Sequence, residues 1–224
     1  MPIPIDRLIR SPRRTIALII RQNGTLEVRA PLHMAETQIQ EFVRAHTHWI
    51  SRKQAQARLA APLPPRQYQA GESFPFLGQL YPLLIVPRQR PALFHDGLSF
   101  HLAQAAQPRA AQHFVRWYRE QASKLFSERV QELARVHGFS YQKVRISSAR
   151  TRWGSCSPKG TLSFTWRLVL APPGIIDYVL IHELVHTRVP NHSRAFWQGV
   201  AEILPDYTAC LSWLRKNGRS LSLD

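Results

Sequence analysis

The chain is short of cysteine. Only Cys156 and Cys210 occur among 224 residues, so no disulfide framework is expected, and two isolated thiols suit a reducing compartment. No apolar run reaches membrane-spanning length, which argues against a membrane-spanning helix. The opening MPIPIDRLIRSPRR has basic residues but no apolar stretch or small-residue cleavage site, so the expected location is cytoplasmic. No glycine-rich phosphate loop, internal repeat or low-complexity tract is present. Acidic residues are also scarce: 14 Asp and Glu face 30 Lys and Arg, a formal net charge of +16. Such a balance suits nucleic acid, an anionic membrane or a phosphate-bearing substrate. The excess is spread at nearly equal density along the chain, however, so solvated basic faces are the plainer reading.

What is present supports a core of ordinary size, since apolar residues make up 44% of the chain. TIALIIRQNGTLEVRA places two alternating apolar runs around Asn23-Gly24, a hairpin signal. Ile39, Phe42, Val43, His46 and Ile50 define one face of a helix from Ala35 to about Ala60, and the prolines of APLPPRQ (61–67) end it. FPFLGQLYPLLIV suggests two strands around Gly78, and LFHDGLSFHL a hairpin at Asp96-Gly97. Gln107-Pro108 is the expected boundary. Beyond it lie a long amphipathic helix ending at Gly138, the strand KVRISSA, the turn-rich RTRWGSCSPKG and the β run TLSFTWRLVLA. Pro172-Pro173-Gly174 breaks the chain. Three helical stretches follow: Ile175 to about Val189, SRAFWQGVAEIL, and PDYTACLSWLRKNG. The predicted class is α+β, with a β-rich region and one long helix over 1–107 and a second domain over 108–224.

The second domain contains IHELVHTRVPNHS, starting at Ile181. Residues four apart share a helix face, so His182 and His186 can point two imidazoles at one metal ion. Glu183 stands one position round and can act as general base on a water beside that ion. The surrounding IIDYVLIHELVH is apolar on nearly every side, and burying two imidazoles and a carboxyl without partners costs several kcal/mol. A metal and its water would satisfy all three. Zinc suits imidazole ligands best, with another divalent transition metal as the alternative. A catalytic zinc takes three protein ligands and keeps one position open. His192 is the preferred third ligand. Glu202 is its rival, or else supports the ligands from behind. The spacing to His192 equals that of the metzincins, but Val189-Pro190 replaces their glycine and no methionine follows, so His192 must arrive by a different bend.

R-W-G-S-C at 152–156, the run W-R-L-V-L-A-P, D-Y-V-L-I-H-E-L-V-H and N-H-S-R-A-F-W together resemble the YgjP-like metal-dependent hydrolases, which are related to the SprT-like and WLM groups of zincin-like peptidases. The match is close over roughly 140–210. It departs at Ser163-Phe164-Thr165, where an asparagine is expected in the β run. The resemblance implies a minimal zincin-like fold, a metallopeptidase activity and a third histidine in the N-H-S segment, here His192. Arg152 and Tyr178 are then candidates for contact with substrate or a developing oxyanion, each weighed against a purely structural role. TLSFTWRLVLA is the candidate edge strand for pairing with an extended substrate. Phe196 and Trp197 read as core anchors that fix the third ligand.

The expected partner is a peptide or protein substrate. Two other readings stay open on sequence alone. One is phosphoanhydride hydrolysis of a nucleoside triphosphate, with arginines holding phosphates. The other is a nucleic-acid-binding protein with a closed, structural metal site.

Overall fold

Two separate apolar clusters organise the chain. A computed structural model describes residues 4–21, 23–59 and 65–223. They divide into two compact units, Met1–Pro64 and Pro65–Asp224.

In the first unit, strands β1 (Arg7–Ser11), β2 (Ala17–Ile20) and β3 (Leu26–Pro31) form a sheet of order β1-β3-β2. β2 and β3 are antiparallel, as the Asn23-Gly24 turn predicts; Gly24 has φ +83° there. β1 pairs parallel to β3, which the sequence did not reveal. Leu26, Val28 and Ala30 pack with Ile39, Val43 and Ile50. The single helix expected over 35–60 is instead two, α1 (Glu36–Ala45) and α2 (Thr47–Leu59). Side chains explain the break. His46 Nδ1 lies 2.8 Å from the Phe42 carbonyl and Thr47 Oγ1 donates to the Arg44 carbonyl at 2.8 Å, competing with the helical ladder. Ala60 and residues 61–64 of the proline-rich stop lie outside the described residues.

The second unit begins with a four-stranded sheet of β4 (Ser73–Phe76), β5 (Gln79–Val86), β6 (Leu93–His95) and β7 (Phe100–Ala103), ordered β4-β5-β7-β6. The two expected turns, Leu77-Gly78 and Asp96-Gly97, connect antiparallel pairs. Helix α3 (Ala110–His137) runs alongside, and Gly138 closes it in the left-handed conformation at φ +68°. Phe74 of β4 stacks on Phe114 of α3 with ring centroids 4.2 Å apart, and Tyr118 donates to the Pro75 carbonyl at 2.6 Å. Gln107-Pro108 therefore lies inside this unit, in a 3-10 turn between β7 and α3.

A second sheet holds β8 (Lys143–Ser147), β9 (Gly154–Cys156) and β10 (Thr161–Thr165). The expected edge strand is not an edge. β10 is central, parallel to β8 and antiparallel to β9, so both its sides are already paired. The signal lay in Ser-Pro-Lys-Gly: Gly160, at φ +75°, donates to the Ser157 carbonyl at 2.8 Å and folds RWGSC back onto β10. The β run also stops early, because Trp166–Leu170 form a buried 3-10 turn.

Helix α4 (Pro173–Val185) follows, with proline in its first turn. Burial of Ile175, Ile176, Val179, Leu180, Ile181, Leu184 and Val185 accounts for its all-round apolar character. Two ties fix its position. Arg129 of α3 donates to both Asp177 carboxylate oxygens at 2.8 Å. The β4–β5 turn docks at its start, where Leu77 and Gly78 donate to the Val169 and Leu170 carbonyls. Helices α5 (Arg194–Ile203) and α6 (Tyr207–Asn217) complete the unit.

Candidate metal centre

His182 lies in the last turn of α4, and His186 is its C-terminal cap. The helix ends four residues before the expected Val189. The next turn is held by Thr187, Arg188 and Val189, whose amides donate back to Leu184, Val185 and Val185. Pro190-Asn191 then turns the chain, and Asn191 Oδ1 accepts from the Ser193 amide at 3.2 Å just before α5. This bend delivers His192. Arg188 anchors it from outside: its guanidinium donates to the His137 and Gly138 carbonyls at the end of α3 and lies over the Phe139 ring.

The three imidazoles converge. His192 Nε2 is 3.1 Å from both His182 Nε2 and His186 Nε2, and each histidine offers one nitrogen to a cluster spanning no more than 4.8 Å. Zinc–nitrogen bonds of ~2.0–2.1 Å in tetrahedral array would place ligand nitrogens roughly 3.3 Å apart. The His186 Nδ1 proton is directed to the Val189 carbonyl at 3.1 Å, which leaves the Nε2 lone pair free for a metal. Burial lowers the His186 pKa, and burial together with the other two imidazoles lowers that of His182 to about 4. Both rings therefore favour the neutral form at neutral pH, as ligation requires. Three close imidazole nitrogens cannot satisfy one another fully by hydrogen bonding, so the donor set fits a metal ion. Phe196, fully buried, packs within 4.9 Å of all three rings, and Trp197 stacks on His192 at 5.7 Å.

Glu183 packs against Gly154 of β9. It is 6% exposed, and burial raises its pKa to about 7, with the Arg152 charge opposing the rise. Gly154 explains how the carboxyl fits. A Cβ on Gly154 would lie 2.6 Å from Glu183 Oε1 and Cγ. The glycine thus makes the space that the side chain occupies. Gly154 stands within R-W-G-S-C, but nothing local in the sequence marks its role; only the packing of β9 beside α4 reveals it.

The other expected residues are placed as follows. Arg152 is exposed, and close enough for its charge to act on Glu183. Tyr178 is buried one turn before His182, ring centroids 6.0 Å apart, and its pKa is pushed up to about 12, mainly by burial. Glu202 is exposed on α5 and is not among the groups that converge with the histidines.

A cavity of about 400 Å³ opens beside Glu183, lined by Trp153, Gly154, Tyr178, Val179, His182, Leu211, Leu214 and Arg215. No helix among the described residues is long and apolar enough to cross a membrane.

No curated protein matches the chain. Among solved structures, the crystal structure of the metallopeptidase zymogen of Pyrococcus abyssi abylysin is similar at 22% identity and a TM-score of 0.38, over 41% of this chain and 93% of that one. The model of the YgjP-like metallopeptidase domain matches residues 14–217. That span takes in nearly the whole chain and every residue of the site, so the chain belongs to the YgjP-like family of metallopeptidase domains and is a metal-dependent hydrolase.

Proposed function

We propose that the chain is a zinc-dependent peptidase in which His182, His186 and His192 hold the metal and Glu183 is the general base. The observation that carries this reading is the convergence of three imidazole nitrogens next to a buried carboxyl. Zinc bound there would lower the pKa of a water towards ~7 and polarise a carbonyl. Glu183, with its pKa near 7, is matched to accept a proton from that water and return it to the departing amine. Gly154 leaves the space that the carboxyl occupies. Arg152, an exposed cation whose charge acts on Glu183, stabilises negative charge that develops on the carbonyl oxygen. His186 keeps its ring orientation through the Val189 carbonyl. The substrate is a peptide or protein, in keeping with the family.

The test is mass-spectrometric product analysis of zinc-loaded protein offered a mixed pool of unstructured peptides and nucleoside triphosphates. Peptide fragments made by the native chain and lost in Glu183→Gln, with bound zinc unchanged, are the expected result. Full activity in Glu183→Gln would sink the mechanism. Nucleotide cleavage without peptide cleavage would move the chemistry to phosphorus.

A further inference from the structure

The cavity beside Glu183 has an asymmetric wall. Val179, Leu211, Leu214 and Trp153 make its surface apolar. Its helical side comes from one face of α4, with Tyr178, Val179, His182 and Glu183 at spacings of one and four. The opposite side is α6, through Leu211, Leu214 and Arg215. The floor is Trp153 and Gly154, and Trp153 itself is wedged against Gly218 at the end of α6. A void of this size suits a small ligand or one large side chain with adjoining backbone.

Two polar residues of this lining lie outside the metal centre and have no mate among the described residues. Arg215 is exposed and has no hydrogen-bond or ion-pair partner among the described residues. Tyr178 is 3% exposed, and its hydroxyl likewise has no hydrogen-bond partner among the described residues. A phenol kept protonated there is a donor. A guanidinium is a donor and a fixed positive charge, with a planar fork suited to carboxylate. Both free groups thus ask for an acceptor, and one asks for an anion. The cavity shares His182 and Glu183 with the metal centre, so a molecule lying in it has its next bond at the reacting position.

We propose that this cavity is a substrate subsite that takes a large apolar side chain with a carboxylate adjacent to it, the ring or branched chain between Val179, Leu211 and Leu214 and the carboxylate on Arg215. The inference rests on the peptidase reading for the identity of the bond cut beside the cavity. Its ligand chemistry stands on the cavity alone. The carboxylate has two sources: the free C-terminus of a peptide, or an acidic side chain next to the apolar residue.

Binding tests the proposal without turnover. Zinc-loaded full-length protein is titrated calorimetrically with 3-phenylpropionate, 3-phenylpropanamide and acetate. The expected result is that 3-phenylpropionate binds at least tenfold more tightly than either control. Arg215→Gln and Arg215→Glu should abolish the difference between acid and amide. Leu211→Trp, which fills the cavity from a half-buried position, should weaken both aromatic probes. Equal binding of 3-phenylpropionate to the native chain and both Arg215 variants would overturn the proposal, because the carboxylate would then be held by the metal. Two peptides separate the sources, one ending in Phe with a free carboxylate and one carrying Phe-Asp before an amidated end. Arg215-dependent binding of the first alone assigns a terminal carboxylate, and of the second an acidic side chain. Binding that depends on Arg215 without cleavage of any peptide would remove the peptidase reading and leave the subsite standing. Cleavage with no dependence on Arg215 or Leu211 would do the reverse.

Discussion

Burial acts on Glu183 and His182 in opposite directions. It raises the carboxyl from 4.5 to about 7 and, with the neighbouring imidazoles, lowers His182 from 6.5 to about 4. Both groups thereby favour their neutral forms. For chelator-treated protein the signs follow by linkage. The Glu183 contribution is fully present below pH 4.5 and is lost as pH rises through about 7; the His182 contribution is present above pH 6.5 and is lost as pH falls through about 4. Glu183→Gln removes the first loss. Metal-free Glu183→Gln should therefore be more stable than the native chain at pH 8, by at most roughly 3 kcal/mol, and no more stable at pH 4. Thermal melts at the two pH values check this, and equal melting points at pH 8 would refute it. Gly154 gives a second prediction. A methyl at this position meets Glu183 at 2.6 Å, so Gly154→Ala must push the carboxyl aside. A misplacement of about 1 Å can cost on the order of 100-fold in rate. The three atoms nearest that methyl all belong to Glu183 and none to a histidine, so activity should fall by about that factor while zinc stoichiometry, measured by metal analysis, stays at the native value.

At the scale of elements, legibility followed locality. The turns at Asn23-Gly24, Leu77-Gly78 and Asp96-Gly97, the stop of α3 at Gly138 and the amphipathic course of α5 are each set by a few adjacent residues, and the sequence disclosed them. His182, Glu183 and His186 were legible for the same reason, since one helical turn brings them together. Its imidazole and its spacing favour His192 over Glu202, but the bend that delivers it carries no period to read. What escaped was non-local. The parallel β1–β3 and β8–β10 pairings and the docking of β9 on α4 join segments whose own residues carry no mark of the partner; the β9–β10 hairpin was local, marked by Ser-Pro-Lys-Gly. The α1–α2 break escaped because side-chain bonds from His46 and Thr47 overrode a continuous apolar face. The tie between the β4–β5 turn and α4 is another such contact. Gly78 has φ +80°, and a Cβ there would come within 2.9 Å of the Pro172 backbone. Gly78→Ala meets both strain and overlap, so a destabilisation of about 2 kcal/mol is expected from denaturant unfolding. A change within ~0.5 kcal/mol would show that the turn yields freely and does not fix the start of α4.

At the scale of the whole molecule, sequence and structure draw different lines, and a truncation decides between them. The sequence suggests that 108–224 stands alone as the hydrolase. The compact units instead divide at 64/65. Phe74, Leu83, Phe100 and Leu102 of the β4–β7 sheet belong to the same buried cluster as Phe114, Tyr118, Trp166 and Leu180. A chain starting at residue 108 would leave Phe114 without Phe74 and Phe100, whose rings lie 4.2 and 5.1 Å from it. Losing even one buried aromatic costs about 3–5 kcal/mol, a large part of the ~5–15 kcal/mol that holds a domain. Residues 108–224 should therefore fail to give a cooperative melt. Residues 65–224 keep the whole cluster and every proposed ligand, so they should melt cooperatively and bind one zinc ion as the full chain does. The first unit has its own small core around Val28, Ile39 and Val43, and chains of ~60 residues are marginal, so 1–64 is expected to melt at a lower temperature. The family match spans both units, which makes the peptide kinetics of 65–224 informative. An unchanged kcat/KM on a short peptide would confine substrate handling to the second unit. A reduced kcat/KM with zinc retained would assign part of it to residues 1–64. A cooperative, zinc-binding 108–224 would instead make β4–β7 an accessory layer on an independent metal centre.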